Sequence, residues 1–316
     1  MPSTWKVPFV QTKEFVLTSE GGISLKGYQW LPVAKPKAVL QIVHGMAEHG
    51  ARYERVASRL VSHGFAVVTH DHRGHGRSVA SGQLRGHMAD RSGWKLAVHD
   101  VHRVNQWIRR EVNWGGCVIV LGHSMGSFMV QQLLGEFPDD ADAACLSGSN
   151  DRPALIKVAS LVARAERARL GRRQMSPLLA KLAFGNNNRD FMPARTENDW
   201  LSRDAVEVDK YETDPACGHD MTTQFWVDFF DGLSRLGDFH KSTPRGLPLY
   251  LFAGSEDPVG ERGTGVIRLL QSYRRAGLSD LRLTLYPGAR HETLNETNRE
   301  QVETDLLEFC QRAAAT

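Results

Sequence analysis

The stretch VIVLGHSMGSFMV, residues 118–130, opens as an apolar, mostly β-branched run and closes with residues that recur at helical spacing. Its first part reads as a buried strand, and Met129, Val130, Leu133 and Leu134 read as the apolar side of a helix ending near Phe137 and Pro138. Between them lies Gly122-His123-Ser124-Met125-Gly126, the pattern G-x-S-x-G. The chemistry explains the glycines: a serine set on a sharp strand-to-helix turn needs side chains of hydrogen alone two positions to either side. The helix that starts there aims its amide dipoles at developing negative charge. The segment is therefore expected to present Ser124 as a nucleophile.

Outward from this turn the chain alternates between short β-rich runs and helical stretches, the signature of a mostly parallel sheet with crossover helices. Strands are expected at about 14–19, 24–31, 38–44, 65–70, 117–122 and 143–148, and helices over 51–63 and 94–112. Alternation stops from 150 to 240, where the sequence turns helical and irregular. It resumes with a strand at 247–253, a helix at about 261–277, a strand at 281–286 and a helix from 298. Thr297 and Glu300 have the spacing of a capping box for that last helix. The expected architecture is an α/β sheet of about eight strands with helices on both faces. Residues 1–149 and 241–316 form its core, and 150–240 an inserted, mainly helical cap.

Bulk composition narrows the function classes. The 316 residues are 41 % hydrophobic, enough for one large domain with an insertion. Lysine and arginine number 39 against 36 acidic residues, so the formal charge of +3 gives no field that implies nucleic acid. The opening MPSTWKVPFVQTKEF lacks a secretory apolar stretch, and no run approaches the ~18 apolar residues of a membrane span, so a cytoplasmic location is expected. Four widely spaced cysteines, without C-x-x-C pairing, suggest neither a zinc site nor a disulfide framework. The run RAERARLGRR, residues 164–173, carries five arginines and marks a candidate for transient contact with an anionic membrane surface.

A serine hydroxyl needs a nearby base, and the base needs a carboxylate to fix its tautomer. Open α/β sheets build their sites at strand carboxyl ends. Two such ends carry suitable groups: Glu256 and Asp257 in LYLFAGSEDPV, and His291 in LTLYPGARHETL. No other histidine of the chain follows a late strand. The oxyanion of an acyl-transfer intermediate needs amide donors, and the candidates are Met125, after the nucleophile, and Met46, in the loop after the third strand. Serine, histidine and carboxylate together supply nucleophile and proton transfers, so no metal or organic cofactor is expected.

HGMAEHGARY (44–53), DHRGHGRS (71–78), GHSMG (122–126), AGSEDPV (253–259) and YPGARHE (286–292) together resemble the monoacylglycerol lipase and lysophospholipase-like branch of the α/β-hydrolases. The resemblance includes the serine-aminopeptidase-like hydrolase domain. RTENDWLSRD (195–204) resembles bacterial members, whereas Ala47 stands where mammalian lipases carry glycine. The resemblance implies the α/β-hydrolase fold, a Ser124–His291–Asp257 triad with Asp257 preferred over Glu256, and a small acyl ester as substrate. It implies that Glu48 and Arg52, with His49 and Tyr53 beside them, organise the polar end of the pocket, or else hold the loop. Asp71 and Arg73 are expected to brace a loop. Leu178, Leu182, Phe184, Trp200, Trp226 and Phe229 are candidates for an apolar wall under the cap. The alternatives on the same triad are a thioesterase, a peptidase and a small-ester carboxylesterase; from another class, a ligand-binding protein without catalysis. Epoxide hydrolase chemistry is disfavoured, since such enzymes use a carboxylate where this chain has Ser124.

Overall fold

The computed structural model describes residues 11–112, 116–151 and 156–315. The opening residues 1–10, read above for a leader, lie outside the described residues. Eight strands form one sheet: β1 (Gln11–Thr18), β2 (Ser24–Leu31), β3 (Val39–Val43), β4 (Ala66–His70), β5 (Val118–His123), β6 (Ala143–Ser147), β7 (Leu249–Gly254) and β8 (Leu281–Tyr286). Their order across the sheet is β1-β2-β4-β3-β5-β6-β7-β8. β2 runs antiparallel to both β1 and β4, and every other pair is parallel. The expected α/β-hydrolase architecture is the one observed.

Strand periodicity explains why the core has two halves. Successive side chains of a strand point to opposite faces, so Val39 and Val43 join one apolar cluster while Leu40 and Ile42 join the other. On the second face lie α1 (Glu54–Ser62), with Val56, Ala57, Leu60 and Val61 buried, and α10 (Arg299–Ala313), with Val302, Leu306 and Phe309 buried. On the first lie α2 (Gly93–Trp107), α3 (Met125–Glu136) and α9 (Thr264–Ala276), which bury Val101, Leu133 and Leu269. The expected helix over 94–112 is α2 continued by a π-helical turn at Ile108–Val112.

Between β6 and β7 the chain runs through α4 (Ile156–Leu170), α5 (Pro177–Phe184), α6 (Ala205–Thr213), α7 (Thr223–Ser234) and α8 (Leu236–Ser242). α7 packs on α2 and α4, α8 packs on α3, and Phe225, Phe229 and Leu233 of α7 enter the first core cluster. The capping box expected at the last helix does not form. Asn298 is the N-cap residue and makes no side-chain cap bond. The Thr297 amide and hydroxyl both donate to the buried Glu296 carboxylate, at 2.9 and 3.3 Å, because a bond donated to an ionised carboxylate is stronger than the one the hydroxyl would accept from a backbone amide. Among the described residues no helix is long and apolar enough to cross a membrane.

Candidate active site

Ser124 stands between the end of β5 and the first residue of α3, at φ 50° and ψ −120°, a conformation that costs a non-glycine residue about 1–3 kcal/mol. The flanking glycines are there for close approach. A Cβ on Gly126 would lie 2.0 Å from the Val43 carbonyl oxygen, and one on Gly122 would lie 2.5 Å from the Gly126 carbonyl oxygen. The Ser124 amide donates to the Ser147 carbonyl at 2.9 Å, which ties the turn to β6.

His291 and Asp257 come from the turns after β8 and β7, are 2 % and 0 % exposed, and meet through Nδ1 and Oδ1 at 2.9 Å. Asp257 is thus the carboxylate at the imidazole; the Glu256 side chain is only part-buried and makes no described bond to His291. Asp257 Oδ1 also accepts from the Val259 amide at 2.9 Å. Burial alone would depress the His291 pKa, but the charge and hydrogen bond of Asp257 outweigh it and hold the imidazole above its ordinary value. With Nδ1 committed to Asp257, Nε2 is the nitrogen left for chemistry. Ser124 and His291 line one cavity of about 540 Å³, and among the described residues no hydrogen bond yet joins the hydroxyl to Nε2. Serine–imidazole bonds in sites without substrate are often long and tighten on binding.

The turn after β3 faces Ser124 across the cavity. Ala47 has φ 54°, and the Gly45 amide donates to Glu48 Oε1 at 2.5 Å, which curls the turn so that Met46 lines the cavity. Met125 opens α3, where the first amides of a helix have no partner within it.

Glu48, Arg52 and Tyr53 come together as one network. Glu48 accepts from Arg52 at 2.7 Å and from the Tyr53 hydroxyl at 2.9 Å. Arg52 grips Glu292 with two bonds of 2.8 Å, and its guanidinium lies 5.0 Å from the Tyr211 ring centre. Burial would raise the Glu292 pKa, but Arg52 brings it down to about 2. His49 turns away from that group and pairs with Asp214, Nε2 to Oδ2, at 2.9 Å. Sequence reasoning missed Glu292 and Tyr211. The one hint for Glu292 was its place next to His291; its partner Arg52 was not readable from the sequence.

Of the expected apolar wall, Phe184, Trp200 and Trp226 line the cavity. The Trp200 ring lies 5.1 Å from that of His291. Leu178 and Leu182 instead face solvent, and Phe229 is buried in the core cluster, because the helical stripe of α7 points that residue at α2 and α3. Asp71 and Arg73 brace as expected. Asp71 accepts the Gly50 and Arg77 amides at 2.8 and 2.7 Å, and Arg73 binds the buried Asp100 with two bonds of 2.7 and 2.9 Å.

The family model described as "Serine aminopeptidase, S33" matches residues 34–298. The chain belongs to this family. Within it, the chain is 31 % identical over 303 residues to a monoacylglycerol lipase of Mycolicibacterium smegmatis, covering 92 % of this chain and 93 % of that protein. A solved structure described as a lipase in an open form shares 30 % identity at a TM-score of 0.86, covering 97 % of this chain and all (100 %) of that one. A carboxyl esterase from Bacillus coagulans, solved with glycerol, has the same fold at a TM-score of 0.89, with 23 % identity over 97 % of this chain and 100 % of its own. The resemblance carried by the five motifs therefore holds across the S33 match.

Proposed function

We infer that this chain is a serine hydrolase that cleaves carboxylic esters, of the monoacylglycerol lipase type. The observation that carries the reading is the buried His291–Asp257 pair opening onto the same cavity as the strained Ser124. In the reaction His291 Nε2 takes the Ser124 hydroxyl proton as Oγ bonds to the ester carbonyl carbon. The amides of Met46 and Met125 hold the resulting oxyanion, each such donor being worth on the order of 100- to 1000-fold in rate. Collapse expels the alcohol, which leaves with the proton from His291. Water then repeats the sequence, releases the acid and restores the serine.

In this reading residues 150–240 serve as a cap on the core of 1–149 and 241–316. Its Phe184, Trp200 and Trp226 wall the acyl chain, while Glu48, which lines the cavity and is held by Arg52 and Tyr53, sets the polar end for the alcohol; His49, paired with Asp214 and outside the cavity lining, takes no part in it. Membrane contact through the cap rests less on charge than the arginine run suggested. Arg164, Arg169 and Arg173 are taken up by Asp231, Glu166 and Asp90 at 2.6, 2.8 and 2.7 Å. Exposed Leu161, Leu178 and Leu182 are the apolar side chains that would enter a lipid surface.

The test is a rate panel: 2-monoacylglycerols, lysophospholipids, acyl thioesters, short p-nitrophenyl esters and amino-acid arylamides. The highest kcat/KM is expected on a monoacylglycerol. Faster turnover of an arylamide or thioester would replace this reading with the peptidase or thioesterase one. No turnover of any ester would favour a binding protein.

A further inference from the structure

Beside the Arg52 network, three donors of different chemistry meet without a part in ester cleavage. His49 comes from the turn after β3, and Asp214 and Cys217 from the turn after α6; one ligand atom of each lies within 4.8 Å of the other two. The two halves are held in place by backbone. Cys217 N–H donates to the Asp214 carbonyl at 2.9 Å, and the Ala216 amide donates to Asp214 Oδ1 at 2.8 Å. This closes Asp214-Pro215-Ala216-Cys217 into one turn with both donors on it. Gly218 N–H then donates to the Ala47 carbonyl at 3.0 Å, fastening that turn to the loop that carries His49. Two ligands separated by two residues on one turn, with a third from a distant element, is the spacing on which zinc sites are built.

Charge and softness agree. Arg52 is already met by Glu48 and Glu292, so the Asp214 carboxylate is a third acid against one guanidinium. A set of one imidazole nitrogen, one thiol sulfur and one carboxylate oxygen suits zinc-class ions, whereas magnesium and calcium take oxygen ligands. Metal bonds of about 2.0–2.3 Å require donors roughly 3.3–3.7 Å apart in a tetrahedron. His49 Nε2 and Asp214 Oδ2 at 2.9 Å stand a few tenths of an ångström closer than that, and all three ligand atoms lie within 4.8 Å of one another, so sub-ångström to ångström side-chain shifts would bring the set to tetrahedral spacing. Asp214 keeps 32 % of its side chain exposed, which leaves an entry path for an ion and for solvent as its fourth ligand.

We propose that His49, Asp214 and Cys217 form a binding site for a divalent transition-metal ion of the zinc class, which when filled clamps the helical insertion to the turn after β3. Binding breaks the Sγ–H bond of Cys217 and its proton passes to solvent. His49 ligates through Nε2 as neutral imidazole, with its proton on Nδ1. The composition gave no hint of this, since the ligands stand 165 and 168 residues apart in the chain. The site neither requires nor affects the assignment of Ser124.

The full chain, stripped of metal, is titrated with cobalt(II) and then with zinc(II). The wild type is expected to bind one equivalent of cobalt with thiolate-to-metal charge-transfer absorption in the near ultraviolet, and zinc is expected to displace it. Cys217→Ser should lose that absorption, and Cys217→Ala is the second variant should the serine fail to fold. Loss of even an outer-shell partner costs about 10- to 100-fold in metal affinity, so His49→Ala is expected to weaken zinc by at least the upper figure. Zinc should also raise the melting temperature of the wild type, reversibly with EDTA, and leave that of the folded Cys217 variant unchanged. A wild type that shows no charge-transfer band overturns the proposal and leaves an ordinary His49–Asp214 pair. A band that persists in both Cys217 variants also overturns it.

Discussion

Acidification from pH 7 to pH 4 is expected to unfold this protein through its buried histidines. His70, His75 and His123 have no exposure beyond 6 %, and burial pushes each pKa down to about 4. Burial also holds His44 and His72 well below the ordinary imidazole range. The rings pack on one another, His44 on His72 at 3.9 Å and His70 on His72 at 4.9 Å between centres, so a proton on one is repelled by the next. In the unfolded chain each returns to about 6.5. Below that value the unfolded chain binds protons that the native protein refuses, so this stabilisation is complete above pH 6.5 and is lost progressively down to about 4. One unit of depression is worth about 1.4 kcal/mol, so the three rings held at about 4 withdraw on the order of 10 kcal/mol. That equals a large part of the ~5–15 kcal/mol that keeps a domain folded.

His291 works in the other sense. Its raised pKa adds stability that is present below its ordinary value and lost as pH rises through the folded one, which softens the acid loss without reversing it. The assay is urea unfolding at a series of pH values. Near pH 5.5 the slope of unfolding free energy against pH should correspond to uptake of at least about three protons, roughly 4 kcal/mol per pH unit. Neither nitrogen of His70 has a hydrogen-bond partner among the described residues, so His70→Phe should lower that slope by about one proton. A slope below one proton would refute the reasoning, because it would mean the rings are already charged or hydrated in the native state.

Asp257→Asn should lower kcat by about 10⁴-fold with the fold intact, and the acid inflection of kcat/KM should move down from its position above the ordinary imidazole value. Steady-state kinetics across pH measure both. Arg52→Met strands the buried Glu48 and Glu292 without a counter-charge and should cost about 3–5 kcal/mol in denaturant unfolding, part of it regained when both acids become Gln. Trp200→Ala removes an aromatic wall of the cavity beside His291. It should raise KM for long acyl esters more than for acetate esters, as a chain-length series of p-nitrophenyl substrates would show.

The fold was legible because its signals are local. Nearly unbroken apolar runs along 117–122 and 143–148 announced buried strands, and the glycines around Ser124, set between a strand and a helix, announced the turn. Asp257 and His291 were legible as strand-end residues, even though 34 positions separate them. What escaped the sequence depends on partners met only in space. Glu292 is 240 residues from Arg52, and nothing in either neighbourhood encodes the other. The histidine packing behind the turn after β3 draws on three separate segments, and the His49–Asp214–Cys217 group joins two. The capping box failed for a related reason: Thr297 and Glu300 had the right spacing, but Glu296, also gripped by Arg203 at 2.9 Å, offered Thr297 a stronger acceptor.

The account stands on Ser124 being an activated nucleophile. Incubation of the folded protein with a fluorophosphonate probe, followed by peptide mass mapping, tests this directly. One adduct per chain on Ser124, absent in Ser124→Ala, is the expected result. An unlabelled wild type, or equal labelling of the alanine variant, would contradict it.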